Sequence, residues 1–208
     1  VEIQGGGAQR VSKKTFEGRT IQPKESAGEP KFRWNWNTPM RPSIHDKNTI
    51  YMAAQHLFRS RDHGNSWERI SPDLTTNDPA KQQQEASGGI TVDNSSAETH
   101  CTIFAVAESP KNPKVIWVGT DDGNLQLSKD AGRTWSNLAA NVTAVPRGTW
   151  VSWIEPSPFD EATAFVTFDG HTAGDMQTHV AKTSDYGKTW SSLSTPALKG
   201  FAHVIRQD

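Results

Sequence analysis

A short loop-like segment with acidic residues and a histidine, Asp169 to Asp175, contains residue types that could do chemistry. Asp169, His171 and Asp175 lie close enough along the chain to serve as acid and base, or to bind a cation. Asp122 follows Asp121 in a second acidic segment. Glycoside hydrolysis needs two carboxyl groups about 5 to 9.5 Å apart, so Asp169 with Asp175 or Asp122 is a catalytic hypothesis. A polar loop held by Asx turns explains the same residues.

Tryptophan and arginine side chains supply the candidate ligand contacts. Indole rings can stack on sugars, and guanidinium groups can bind carboxylates. The candidate binding residues are Trp34, Trp36, Arg147, Trp150 and Trp153. Packing between strands is the competing explanation for at least half of the tryptophans. No Cys/His spacing predicts a metal site and no cofactor is expected, although the acidic loops leave a structural Ca²⁺ open.

The elements that must position these residues are indicated by an octapeptide, [ST]-x-D-x-G-x-[ST]-W, that occurs three times. The Asp can accept hydrogen bonds from backbone N–H groups at a turn, and the Gly permits positive φ. The Trp begins the outgoing strand and covers the turn. The pattern therefore predicts three hairpins. Their defining residues are Ser60, Asp62, Gly64 and Trp67, then Ser128, Asp130, Gly132 and Trp135, then Thr183, Asp185, Gly187 and Trp190.

A second pattern precedes each octapeptide and places a Ser eight residues before an aromatic or strand-forming position. These pairs are Ser43 and Tyr51, Ser109 and Trp117, and Ser157 and Phe165. Each unit then has four predicted strands, A to D, and the alternation in strand C of the second unit predicts a half-buried strand. Four-stranded antiparallel units of this size are typical of propeller blades. The predicted fold is all-β, a β-propeller of four-stranded antiparallel blades with Asp-box hairpins.

The repeats also predict how the chain is divided. The predicted units are a partial blade over 1–30 (strands B to D), a blade over 31–75, a polar insertion loop over 76–99, blades over 100–142 and 143–195, and the first strand of a following blade over 196–208. Three whole blades are too few to close a ring of typically 4 to 8. The chain is therefore expected to be an incomplete propeller segment whose partners are the remaining blades, from the same parent chain or another polypeptide.

Composition limits the classes of partner. A formal net charge of -1 with 22% charged residues gives no basic surface for nucleic acid. The apolar runs, such as Val115–Val118, are too short to span a membrane. Cys101 is the single cysteine, so no intrachain disulfide is possible, and we interpret it as a small buried apolar residue.

The octapeptide is the Asp-box, or BNR, repeat, and the chain resembles large secreted bacterial proteins described as BNR-repeat glycosyl hydrolases with a sortilin-like (VPS10-type) propeller. The likeness lies in Arg33–Asn37, Val118–Asn124, Phe168–His171 and Thr183–Trp190. Propellers of this kind cleave sugars in sialidases, cleave glucans in xyloglucanases and bind peptides in sortilin. The resemblance implies the fold and a secreted or periplasmic location, and it leaves the function open.

Strand order predicts where a function would lie. The A–B turns and Asp boxes share one face, and the B–C and D–A loops share the other. Asp62, Asp130 and Asp185 are 68 and 55 residues apart, and the irregularity falls in these loops, including 72–100. Because binding residues favour variable loops on a rigid scaffold, we expect function on that face. The first hypothesis is a non-catalytic scaffold or recognition module for a peptide or glycan. The alternative is a glycoside hydrolase, xyloglucanase-like or sialidase-like, so enzymatic activity stays an open question.

Overall fold

The structure, a computed structural model, describes residues 1–83 and 99–208, whose regular secondary structure consists almost entirely of short β-strands joined by turns and loops. The strands of the described residues are β1 (Glu2–Ile3), β2 (Gly7–Val11), β3 (Gly18–Thr20), β4 (Met40–Pro42), β5 (Ile50–Ala53), β6 (Leu57–Ser60), β7 (Glu68–Arg69), β8 (Ile103–Glu108), β9 (Ile116–Thr120), β10 (Leu125–Ser128), β11 (Ser136–Asn137), β12 (Trp150–Pro156), β13 (Ala164–Asp169), β14 (His179–Thr183) and β15 (Ser191–Ser192). In the same described residues, three single-turn 3₁₀ helices cover Pro79–Gln82, Ala139–Asn141 and His171–Ala173. Most of the predicted insertion loop lies outside the described residues.

The strands form four antiparallel sheets in chain order. We call β1–β3 the partial blade, β4–β7 blade 1, β8–β11 blade 2 and β12–β15 blade 3. Within blade 2, Leu125 pairs with Gly119 and Ile103 pairs with Thr120, so consecutive strands are neighbours throughout. This meander confirms the predicted fold class, an incomplete β-propeller segment of four-stranded blades. In the described part of the chain, no helix has the length and apolar character needed to cross a membrane.

The burial of strand C in blade 2 differs from the sequence prediction. All four residues of β10 are buried, whereas the alternation predicted a half-buried strand. Leu125 and Leu127 pack with Val151 of blade 3, and Gln126 donates from Nε2 to the Leu74 carbonyl oxygen on the blade 1 side at 3.0 Å. Because neighbouring blades stack face to face, both faces of an inner strand are covered. The alternation of apolar and polar residues along β10 therefore does not indicate which side chains are exposed to solvent.

The three octapeptides form Asp-box hairpins with one repeated hydrogen-bond pattern. In the first, Ser60 Oγ donates to Asp62 Oδ1 at 2.8 Å and accepts from Gly64 N at 2.7 Å, while Ser66 N and Oγ donate to Asp62. The other two boxes repeat these bonds. The bonds from the Ser or Thr at the seventh position lower the pKa of each box aspartate to about 2.

Each Asp box also docks onto the blade before it. Trp67 Nε1 donates to the Ile21 carbonyl oxygen at 2.6 Å, and Trp135 Nε1 donates to that of Ile70 at 3.1 Å. A Cβ on Gly132, which has φ +93°, would lie 2.8 Å from the same Ile70 oxygen. The box glycine therefore satisfies two demands, a left-handed backbone and close approach of the neighbouring blade.

The A–B turns lie beside the Asp boxes of their own blades, as strand order predicts. Ala131 N donates to Lys114 O at 2.9 Å in blade 2, and Tyr186 N donates to Ala162 O at 3.0 Å in blade 3. We call this side the Asp-box face. The opposite side, which carries the B–C and D–A loops, is the loop face.

The C-terminal segment forms no strand with the described residues. It lies along blade 3, where Thr167 Oγ1 donates to the His203 carbonyl oxygen at 3.0 Å, and Arg206 pairs with Glu155 at 2.5 Å. These contacts are made by side chains, without a backbone ladder. The assignment of 196–208 to a following blade therefore stays a prediction.

Candidate functional site

Asp169, at the end of β13, is the centre of a histidine–carboxylate cluster on the loop face. Its side chain is 1% exposed. His171 Nδ1 lies 2.6 Å from Oδ1, the backbone N of His171 donates to the same oxygen, and His203 Nδ1 lies 2.8 Å from Oδ2. The ring of His171 stacks on Phe201, with 4.5 Å between centroids. Burial acts to raise the pKa of Asp169, but the bonds from His171 and His203 hold it below its ordinary value.

Asp175 closes the same loop. Its Oδ2 lies 2.7 Å from Nε2 of His179, and its Oδ1 accepts from the backbone N of Gln177. These bonds lower the pKa of Asp175, that from His179 most. Asp175 N donates to the Gly170 carbonyl oxygen at 3.0 Å, so the B–C loop of blade 3 is folded back on itself. Asp169, His171 and Asp175 thus belong to one compact loop, as the sequence predicts.

Asp121 and Asp122, in the B–C turn of blade 2, are both buried. Asp121 accepts from Thr102 N and Oγ1 and from Asn35 Nδ2. Burial raises the pKa of Asp121 to about 7. Asp122 accepts from Thr76 N at 2.7 Å and from Thr76 Oγ1 at 2.6 Å, which holds the D–A loop of blade 1 against this turn.

The candidate carboxylates therefore already act as hydrogen-bond acceptors, both within their own loops and for donors from other elements. A perturbed pKa such as that of Asp121 can mark a functional group, but this side chain is fully shielded from solvent. Among residues 1–83 and 99–208, no group of three or more His, Cys, Asp or Glu side chains is placed to hold a metal ion. What the arrangement can do is fix loop geometry and position neighbouring groups.

The candidate tryptophans lie in three different environments. Trp34 packs in the core, stacked 6.1 Å from Phe58, and Trp36 is half-buried on the same segment. Trp150 is half-buried with its ring 5.2 Å from that of Phe104. Trp153 lies between the guanidinium groups of Arg41 and Arg206, 4.7 and 4.0 Å from its ring centroid. In the described part of the chain, no two of these four rings form an aromatic contact with each other.

Arg147 instead lines a cavity of about 630 Å³ on the loop face between blades 2 and 3. Lys81 and Arg147 supply cations, Asn124 and Asn137 supply amides, and Phe168 supplies part of an apolar wall. Asn137 Nδ2 donates to Asn124 Oδ1 at 2.9 Å, so these amides are oriented. In the described part of the chain, neither the Lys81 ammonium nor the Arg147 guanidinium forms a hydrogen bond or an ion pair.

Sequence reasoning missed several of these residues. Lys81 and Asn137 belong to no motif, and they become neighbours of Asn124 only when the blades stack. His203 was seen only as part of a predicted strand. One sequence signal could have pointed to the cavity. Asn124 directly follows the Asp121–Gly123 turn, and that turn was expected on the loop face, where binding residues were predicted.

Comparison with curated proteins gives partial matches. Over 88 residues, 42% of this chain, it is 28% identical to the oligoxyloglucan-reducing end-specific xyloglucanase of Emericella nidulans, of which it covers 10%. Over 81 residues, 39% of this chain, it is 37% identical to the vacuolar protein sorting/targeting protein 10 of Laccaria bicolor, of which it covers 5%. The chain thus spans a tenth or less of these relatives. No protein-family model matches it.

Solved structures show the fold. The GH74 xyloglucanase from Xanthomonas campestris matches 92% of this chain and 28% of its own, with a TM-score of 0.54 and 15% identity. An ancestral GH74 enzyme matches 76% of this chain and 18% of its own, with the same TM-score and 16% identity. At these identities the likeness concerns the propeller architecture, and it implies that other blades complete the ring.

Proposed function

We propose that this segment, a propeller segment similar to those of xyloglucanases and sortilin-type proteins, is a non-catalytic recognition module of a larger protein. Its ligand site is the loop-face cavity between blades 2 and 3. The preferred ligand is a glycan, with an extended peptide as the competing ligand. The remaining blades of the ring are its partners.

One contrast carries the proposal. The loop carboxylates that hydrolysis would need are occupied as acceptors, whereas the cationic groups of the cavity have no partner among the described residues. Asp122, on the cavity wall, is bonded to Thr76, while Arg147 is exposed beside it. Unpaired donors beside oriented amides are suited to hold hydroxyl or carboxylate oxygens of a bound ligand.

The cavity dimensions and lining also support a ligand of a few sugar residues. A volume of about 630 Å³ lies within the usual range of ligand pockets, roughly 300 to 1,000 Å³. The same lining contains these polar groups and apolar surface from Val142, Val145 and Phe168. A pyranose presents both an apolar face and a rim of hydroxyls, so it matches this combination.

Glycoside hydrolysis is the second candidate, because the curated relatives include a xyloglucanase. It would need two carboxyl groups facing a bound sugar at about 5 to 9.5 Å, one of them protonated. To act in hydrolysis, Asp169 would have to break its hydrogen bond with His203, and Asp175 would have to break its hydrogen bond with His179.

We also propose that the protein containing this module is secreted, because the proteins that the sequence resembles are secreted.

Calorimetric titration of the chain with xyloglucan oligosaccharides tests the proposal. We expect measurable binding that Arg147→Ala weakens by roughly tenfold, the loss of a charge-assisted hydrogen bond. Arg10→Ala is a matched control, because Arg10 contacts the first Asp box at Asn65 Oδ1, away from the cavity. Binding that survives Arg147→Ala unchanged, or binding of peptides alone, would contradict the glycan site.

A further inference from the structure

Four arginines line a second cavity, of about 590 Å³, between blade 1 and the Asp box of blade 2. Arg59, Arg61 and Arg69 come from blade 1, and Arg133 comes from the box of blade 2. Among the described residues, Glu68 is the single acidic side chain in the lining. This concentration of positive charge is unusual in a chain of net charge -1, and the residues are distinct from those of the loop-face cavity.

The hydrogen bonds of these arginines leave part of the charge unpaired. Arg59 pairs with Glu68 at 2.8 Å, and Arg69 pairs with Glu29 at 3.2 Å. In the described residues, the guanidinium groups of Arg61 and Arg133 form neither a hydrogen bond nor an ion pair, although hydrogen bonds and, to a smaller extent, the charge of Arg61 lower the pKa of Asp46. Like charges held near one another repel, so the cluster costs stability unless an anion joins it.

Arg59 gives a second, independent observation. Its side chain is 11% exposed, and its Nη1 donates to the Ala131 carbonyl oxygen at 3.3 Å across the blade boundary. Its Nε, however, is buried and has no acceptor in the described part. A buried N–H without an acceptor costs free energy, and bound anions are among the partners that satisfy such groups.

We propose that this cavity, the arginine pocket (Arg59, Arg61, Arg69 and Arg133), binds a tetrahedral oxyanion, phosphate or sulfate, carried free or as an ester. The guanidinium groups come from β6, the Asp box of blade 1, β7 and the Asp box of blade 2. A phosphate group or free sulfate offers oxygens in several directions and up to two charges, and a sulfate ester offers three oxygens with one charge. A carboxylate offers only two oxygens, in one plane, and one charge. The lining contains no aromatic ring, so a neutral sugar has nothing to stack on.

Titration with defined probes tests the arginine pocket. The probes are inorganic phosphate, inorganic sulfate, glucose 6-phosphate, glucose 6-sulfate, glucuronate and glucose, measured by calorimetry at low salt. We expect the phosphate or sulfate probes to bind, glucose to give no heat, and affinity to fall as salt is added. If the sugar esters bind more tightly than the free ions, the natural ligand is a phosphate or sulfate ester. If the esters and the free ions bind with equal affinity, the ligand is the free ion.

Arg61→Gln and Arg133→Gln are the informative variants, because neither guanidinium forms a hydrogen bond or an ion pair with the described residues. Each should weaken oxyanion binding roughly tenfold without lowering the midpoint of urea unfolding. Arg147→Gln, on the loop face, should leave the affinity for the oxyanion unchanged. Absence of phosphate and sulfate binding, binding of glucuronate alone, or unchanged affinity in the Arg61→Gln/Arg133→Gln double variant would overturn the proposal.

Discussion

Nδ1 of His203 lies 2.8 Å from Oδ2 of Asp169, which ties the C-terminal segment to the end of β13. The contact spans 34 residues and joins a segment without strand pairing to the loop face. It also occupies one oxygen of the carboxylate that the sequence marks as a catalytic candidate.

Replacing His203 should change the titration of Asp169. The hydrogen bonds from His171 and His203 hold the pKa of Asp169 below its ordinary value. The ionised carboxylate therefore stabilises the fold at pH values above the ordinary pKa, and this stabilisation is lost as the pH falls through the lowered pKa. In His203→Ala the pKa should rise toward the ordinary value, seen by carbon-detected NMR of the carboxylate. His63→Ala, in the first Asp box, is the control. An unchanged titration would mean that His203 does not bond Asp169 in solution.

A glycine pair separates backbone strain from blade docking. Gly132 and Gly174 both have positive φ, +93° and +82°, but a Cβ meets Ile70 O at 2.8 Å in the first case and nothing within 4 Å in the second. Gly174→Ala should lower the free energy of unfolding by about 1 kcal/mol, because the only penalty is a side chain in a left-handed backbone conformation. Gly132→Ala should cost about 2 to 4 kcal/mol because the blades must separate. Equal losses in urea unfolding would show that the box does not dock on Ile70.

The contribution of Asp121 to stability should depend on pH in the opposite direction to that of Asp169. Burial raises its pKa to about 7, so the folded state holds the proton where the unfolded chain has released it. Its stabilisation is full below the ordinary value near 4 and is lost as pH rises through about 7. The stability of the wild type minus that of Asp121→Asn should therefore fall between these pH values. A difference that rises with pH would show that the ionised carboxylate is the favoured form.

Cys101 should be a poorly reactive thiol. It is fully buried, and burial raises its pKa to about 11, with the nearby Asp122 acting in the same direction. Alkylation by iodoacetamide at about pH 8 should be at least roughly tenfold slower in the folded chain than in concentrated urea. Because the chain has one cysteine, mass spectrometry reads the site directly. Equal rates would place Cys101 in contact with solvent.

The repeats made the fold predictable, and the gaps in prediction have physical causes. The Asp box is a local device whose hydrogen bonds join Ser60, Asp62 and Ser66, so eight residues suffice to identify it. Docking of Trp67 on Ile21 joins residues 46 apart and leaves no local pattern. The complete burial of β10 was missed for the same reason, because the second covering face comes from another blade.

The candidate site was predictable only in part. Asp169, His171 and Asp175 share a loop because they are close along the chain. Their bonding was not predictable, since His203 and His179 come from other elements. Arg147 was a candidate on residue type alone, whereas its neighbour Lys81 comes from the D–A loop of the previous blade.

The most direct test follows sugar release and sugar binding in the same samples. The chain, Asp169→Asn and Arg147→Ala would each be incubated with xyloglucan oligosaccharides, with reducing ends and binding heat measured in parallel. The account predicts binding without release of new reducing ends, unaffected by Asp169→Asn and weakened by Arg147→Ala. Release of reducing ends that Asp169→Asn abolishes would contradict it and would identify the loop carboxylates as catalytic.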